Sequence, residues 1–69
     1  MFIRLTQQEG DHRPVYLNTD HIISMVPINA GTVVATTFAG ETWCWEVKEA
    51  PAEILHMIDV LIYQPPSTH

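Results

Sequence analysis

Residues 32–47 read TVVATTFAGETWCWEV, and this stretch decides the fold. Residues 32–38 are dense in β-branched side chains, which favour a strand, and Ala39-Gly40 then interrupts the run. A two-residue turn at that point predicts a β-hairpin, although Ala is not the residue preferred at the first turn position. The sequence therefore predicts two antiparallel strands in which Phe38 lies directly opposite Glu41.

This register gives the hairpin two different faces, because side chains alternate along each strand. The bulky face is expected to contribute the core residues Val34, Phe38, Trp43, Trp45 and Val47. The opposite face, called the light face below, carries Val33, Ala35, Thr37, Thr42 and Cys44. Burial of each large side chain contributes about 1.5–3 kcal/mol, so packing is the expected role of the tryptophans. The alternative, a tryptophan exposed for base stacking, would need a cationic groove that this chain lacks.

A helix over residues 51–63 is predicted to cover the bulky face. Pro51 suits the first helical turn, Glu53 lies near the positive end of the helix dipole, and Pro65-Pro66 ends the helix. Apolar residues at helical spacing form one stripe, which is Ile54, Leu55, Ile58, Leu61 and Ile62. Of these, Ile54, Ile58 and Leu61 are expected in the core. Met57 and Val60 fall outside the stripe and leave additional apolar surface.

The first thirty residues are also β-rich. Residues 1–7 alternate between apolar and polar, residues 15–17 form a short strand, and residues 22–27 form another. Residues 8–14 and 18–20 hold turn and loop residues, and residues 29–31 form a connection in which Gly31 is expected to be left-handed. The prediction is one α+β domain over residues 1–63, an antiparallel meander of four to five strands with the helix packed on one face. The meander is either a small sheet or a partly open barrel, and residues 64–69 are expected to be a disordered Pro-rich tail.

Length and charge narrow the classes of function. A chain of 69 residues is only marginally stabilised by one core, and its single Cys cannot form a disulfide within the monomer. Its formal net charge of −5 at pH 7 repels phosphate, which makes nucleic acid an unlikely partner. No segment resembles a signal peptide or a membrane span, and an unpaired Cys fits a reducing compartment, so the expected location is the cytoplasm.

The sequence carries no complete catalytic or metal-binding motif. Cys44 has no base placed by sequence to activate it, and there is no glycine-rich phosphate loop, serine elbow or paired-carboxylate motif. Glu53 and His56 lie three residues apart, but a di-metal site needs several such motifs. The sequence therefore predicts no enzyme, no catalytic or metal-binding residues and no cofactor.

Surplus apolar surface on a small chain is typical of an interaction site. The light face is flat and weakly polar, and Met57 and Val60 add apolar area on the helix. The expected partner is therefore another copy of the chain or an unidentified protein. Two surfaces are candidates, and they are the light face and the neighbourhood of Met57 and Val60.

Short matches spread over most of the chain resemble the small flagellar and swarming-motility proteins of the FlbD or SwrD type. The matching residues are Ile3-Arg4-Leu5-Thr6, Leu17-Asn18 with Asp20 and Ile22, Gly31-Thr32-Val33, Gly40, Val47-Lys48-Glu49 and Glu53-Ile54. The resemblance implies a short β-rich body followed by a helix, and a flagellar role without a catalytic site. The alternative is another small bacterial or prophage-borne protein with the same β-rich pattern.

A second resemblance leads to the alternative function. Residues 12–22 are similar to a segment of LytTR DNA-binding domains in which an Arg-containing stretch lies near DNA. That resemblance implies a small DNA-binding transcriptional regulator. Binding of that kind would weaken steeply as salt is added.

Overall fold

Two antiparallel sheets and one α-helix make up the described part of the chain, residues 1–62 of a computed structural model. The elements are β1 (Phe2–Thr6), β2 (Pro14–Asn18), β3 (Ile22–Ile28), β4 (Gly31–Phe38), β5 (Glu41–Val47) and α1 (Pro51–Ile62), with a 3₁₀ turn at Thr19–His21. The predicted α+β class is confirmed. Tyr63, the predicted tail and the side chain of Ile62 lie outside the described residues.

The predicted meander is divided between the two sheets. β1 pairs with β2, and β3, β4 and β5 form the second sheet in that order. A bridge between Gln7 and Val47 joins the sheets at one corner. There the Gln8 N–H donates to the Glu46 carbonyl at 2.9 Å, and the Lys48 N–H donates to the Thr6 carbonyl at 2.8 Å. The spatial order of strands is therefore β2-β1-β5-β4-β3.

The hairpin of β4 and β5 has the predicted register, from Phe38 opposite Glu41 to Thr32 opposite Val47. Its turn places Ala39 at φ 53° and Gly40 at φ 81°. Both values lie in the left-handed region that two-residue hairpins of the I′ type require. Ala39 pays a steric cost there that Gly40 avoids.

The prediction that Gly31 is left-handed is wrong. Ala30 takes the positive φ, at 62°, and Gly31 is the first residue of β4. Glycine is needed at this position for a different reason, since a Cβ would lie 1.9 Å from the Val47 carbonyl oxygen. The Gln8 side chain fills the same corner and donates to the Val47 carbonyl at 3.0 Å.

The core lies between the two sheets and the helix. Its buried residues come from both sheets and from α1, and they are Ile3, Leu5, Leu17, Val34, Val47 and Ile54. Half-buried side chains pack around them, namely Val15, Ile22, Met25, Trp45, Met57, Ile58 and Leu61. The bulky face of the hairpin is therefore covered by β1 and β2 as well as by α1.

Two predicted core residues are not in the core. Phe38 is 66% exposed and Trp43 is 55% exposed. Both lie toward the turn end of the hairpin, and the buried cluster ends before it reaches them. Trp45 is half-buried, and its indole Nε1–H donates to the Thr36 hydroxyl at 3.1 Å.

The helix is rotated from its predicted orientation. Leu55, assigned to the buried stripe, is 50% exposed, whereas Met57, assigned to the surface, packs against the core. Leu55 is turned ~100° around the axis from the fully buried Ile54. Glu53 caps the helix by accepting from the Ala50 N–H at 3.1 Å. Among the described residues no helix has the length and apolarity to cross a membrane.

Candidate protein-interaction site

The light face is one surface of the three-stranded sheet. Cys44 lies opposite Ala35 and Thr42 opposite Thr37, as the register requires. The buried cluster lies on the other side of the sheet, where it includes Val34 and Val47. Within residues 1–62, therefore, the core packs against the bulky side and leaves the light face without a covering layer.

Exposure varies across the light face. Thr42 and Cys44 are exposed, Val33 and Thr37 are half-buried, and Ala35 is buried. Ala35 sits in the central strand between its partners Ser24 and Cys44, so neighbouring strands shield its small side chain. Direct contact at Ala35 would need a partner surface that fits closely between those strands.

The structure adds β3 residues that sequence reasoning left out of the light face. Val26 pairs with Val33 and is 53% exposed, and Ile28 pairs with Gly31. Together with Val33 and Ala35 they extend the apolar part of the face across two strands. The apolar character of residues 22–28 was visible in the sequence, but their alignment with β4 depends on the Asn29-Ala30 turn and on the bulge between Ile22 and Ser24.

Met57 and Val60, the two residues of the helical candidate surface, have different environments. Val60 is 60% exposed, as expected for a surface residue. Met57 packs against the core and contributes only part of its side chain to the surface. The two residues line one groove, of about 360 Å³, with Ile3 and Leu61.

An aromatic cleft, which the sequence did not predict, lies at the uncovered end of the bulky face. Its volume is about 320 Å³, and Phe2, Tyr16 and Phe38 line it with His21. The His21 ring stacks on Phe38 with centroids 5.1 Å apart. The alternation of side chains along residues 1–7 could have indicated this cleft, because it places Phe2 on the opposite face of the strand from Ile3 and Leu5.

Cys44 is exposed beside a small cleft of about 110 Å³. The cleft is lined by the carboxylates of Glu9 and Glu46. Reactive thiols lie in electropositive surroundings, and these surroundings are acidic. Cys44 is therefore better suited to contact than to nucleophilic chemistry.

Of the two residues at the spacing of a metal-binding motif, Glu53 and His56, Glu53 caps α1 by accepting from the Ala50 N–H. In the described part of the chain, no three side chains of His, Cys, Asp and Glu come together as a metal site.

The segment that resembles LytTR domains spans a loop, β2 and the 3₁₀ turn. Its Arg13 forms an exposed ion pair with Asp11 at 3.8 Å, the one ion pair among residues 1–62. The Asp11 carboxylate offsets part of the positive charge of Arg13 that would attract a phosphate. DNA binding stays a prediction.

Comparison with known proteins finds no matching family model, no matching curated protein and no matching solved structure. The resemblances to FlbD-type proteins and to LytTR domains therefore also stay predictions.

Proposed function

We propose that this chain is a small non-enzymatic protein that acts by protein–protein interaction, with another copy of itself or with a different protein. The observation that carries the proposal is the light face. It spans β3, β4 and β5, carries the exposed residues Val26, Thr42 and Cys44, and has no layer over it among residues 1–62. Apolar surface of this kind on a small chain is typical of a binding site.

The chemistry of the light face favours contact over catalysis. Its central residues are Val33, Ala35 and Cys44, and its polar groups are the hydroxyls of Ser24, Thr37 and Thr42, with one carboxylate, Glu46, opposite Val33. A catalytic site needs convergent polar groups in a concave pocket, and this face is the surface of a sheet. A cytoplasmic location belongs to the same proposal, and the FlbD-type resemblance makes flagellar motility the first process to examine.

The experiment places one charge on the light face and compares it with the same change elsewhere. Val26→Glu is the test variant, and Leu55→Glu is the matched control because the two residues have similar exposure, 53% and 50%. Wild type and both variants are immobilised, and the proteins that each retains from the source cell are compared. Solution mass is measured by light scattering in parallel, and circular dichroism checks that both variants fold.

We expect Val26→Glu to weaken association at least about tenfold, because it buries an unpaired charge in the interface, and Leu55→Glu to leave it unchanged. Loss of either self-association or retention of a different protein counts as this weakening. The proposal fails if the wild type is a monomer at every concentration and retains nothing that Val26→Glu loses.

A further inference from the structure

The first strand has a free edge with unpaired backbone groups. The Gln7 N–H donates to Arg13 at 3.0 Å, and the Thr19 N–H donates to Met1 at 2.7 Å, so the odd-numbered residues of β1 bond to β2. Backbone groups alternate in direction along an antiparallel strand, so those of Phe2 and Arg4 point to the other edge. Thr6 shows that direction, since its N–H donates to Glu49 Oε1 at 2.9 Å.

The segment that follows β5 pairs with this edge only as far as Thr6 and does not reach Arg4. Lys48 donates to the Thr6 carbonyl, and the chain then turns into α1 at Pro51. In the described part of the chain, β1 pairs with β2 along its length, and the bridge to β5 lies at Gln7, just after β1, so no strand pairs beside Phe2 and Arg4. The 360 Å³ groove between β1 and α1 opens at this place, with Met57, Val60 and Leu61 on its helical wall. The edge therefore offers main-chain donors and acceptors beside an apolar wall.

The other sheet edges carry features that oppose strand addition. The backbone of Pro14 points to the outer edge of β2, because its neighbours Arg13 and Val15 are the residues that bond to the β1 side. Proline has no N–H to donate there. Pro27 faces outward from β3, which also carries the bulge between Ile22 and Ser24. The outer edge of β5 carries the Glu41 carboxylate at its free end and the Glu46 carboxylate where it meets Gln8, and these charges would repel another copy. The edge at Phe2 and Arg4 has neither a proline nor a bulge.

A second copy of β1 complements this edge. In an antiparallel arrangement with a two-fold axis at Ile3, Phe2 lies opposite Arg4 of the partner subunit, and each such pair exchanges two backbone hydrogen bonds. The Phe2 ring, which is 64% exposed, would then lie beside the guanidinium of the partner subunit's Arg4. A cation beside an aromatic face is a favourable contact. The arrangement also brings the exposed Val60 of both copies over the same side of the joined sheet.

We propose that two copies of this chain associate through β1, so that the strands β2-β1 of one copy continue into β1-β2 of the other. This rests on the proposed function, of which self-association is one form. It assigns the second copy to the β1 edge and leaves the light face for a different protein.

The test uses two proline variants of the whole chain. Arg4→Pro removes an outward N–H from the β1 edge without removing a hydrogen bond to β2. Tyr16→Pro is the matched control, because the Tyr16 N–H points outward from the far edge of β2. Solution mass is measured by light scattering across a range of concentrations, and circular dichroism confirms folding.

We expect the wild type and Tyr16→Pro to reach twice the chain mass of 7.8 kDa. Arg4→Pro should stay at the monomer mass over the same range, with a dissociation constant raised at least about tenfold, because two symmetry-related hydrogen bonds are lost. If Arg4→Pro does not fold, hydrogen exchange of the wild type decides. The Phe2 and Arg4 amides should exchange more slowly as concentration rises, and concentration-independent exchange would overturn the proposal.

The outcomes separate this proposal from the proposed function. A dimer that survives Arg4→Pro but is lost in Val26→Glu overturns the β1 interface and places self-association on the light face. A dimer that survives both variants also overturns the β1 interface. A wild-type monomer does so as well, and the proposed function then depends on whether Val26→Glu loses a different protein.

Discussion

Replacement of Gly31 by Ala should destabilise this domain more than any other glycine substitution in it. A Cβ at Gly31 would lie 1.9 Å from the Val47 carbonyl oxygen and 2.4 Å from Gln8 Nε2. Real Cβ atoms do not come closer than 3.0 Å, so the backbone at Val47 would have to move by about 1.1 Å. That movement strains the corner where the two sheets meet. We expect a loss of about 3 kcal/mol, a large part of the stability of a domain of this size.

The control is Gly40→Ala, because its Cβ would meet nothing within 4 Å and only the φ of 81° opposes it. Left-handed strain alone costs about 1–2 kcal/mol. Both variants are unfolded with urea and by heating, followed by circular dichroism. A destabilisation of ~3 kcal/mol lowers the melting temperature by at least ~12 °C in a domain of this length. If Gly31→Ala is no less stable than Gly40→Ala, the close approach at Val47 does not constrain the fold.

Three further measurements probe other parts of the structure. Ala39→Asn should stabilise the domain by about 1 kcal/mol in urea unfolding, because Asn tolerates the left-handed turn position, and an unchanged midpoint would contradict that reading. Trp45→Phe should lower the free energy of unfolding by about 1–2 kcal/mol, because the hydrogen bond to Thr36 is lost. Trp43→Phe should change it by less than ~0.5 kcal/mol, because Trp43 is exposed. Equal effects in urea unfolding would refute this difference between the two tryptophans. Added salt should tighten the proposed dimer, because it screens repulsion between copies of net charge −5, and a dissociation constant that rises with salt would argue against it.

Local features of the chain could be predicted from the sequence. The register of β4 and β5 follows from a two-residue turn at Ala39-Gly40, which allows one alignment of the flanking strands. The start of α1 follows from Pro51, whose missing N–H is tolerated in the first turn. Both features depend on neighbours in sequence, which explains why they could be read directly.

Features that depend on distant contacts were missed. Alternation shows that Phe38 and Trp43 share a face with Val34, but it does not show how far the opposing layer extends. That extent is set by the bridge between Gln7 and Val47, forty residues apart. The rotation of α1 was missed for the same reason, since Leu55 and Met57 flank Ile54 on either side of the helix and either could face the core. The free edge of β1 exists because the chain turns away after Lys48, and no local pattern marks that departure.

The contacts of Glu49 bear on how the chain folds. Its side chain accepts from the Thr6 N–H, 43 residues away in sequence, and its carbonyl accepts from the Thr32 hydroxyl. The hairpins of β3, β4 and β5 close over short loops, whereas this contact must close a long one, which is slower and costs more chain entropy. We expect the hairpins to form first and the first sheet and the helix to dock afterwards. Glu49 binds Thr6 of the first sheet and Thr32 of β4, and it lies just before α1. The first sheet and the helix should therefore also detach together, as one cooperative unit of partial unfolding.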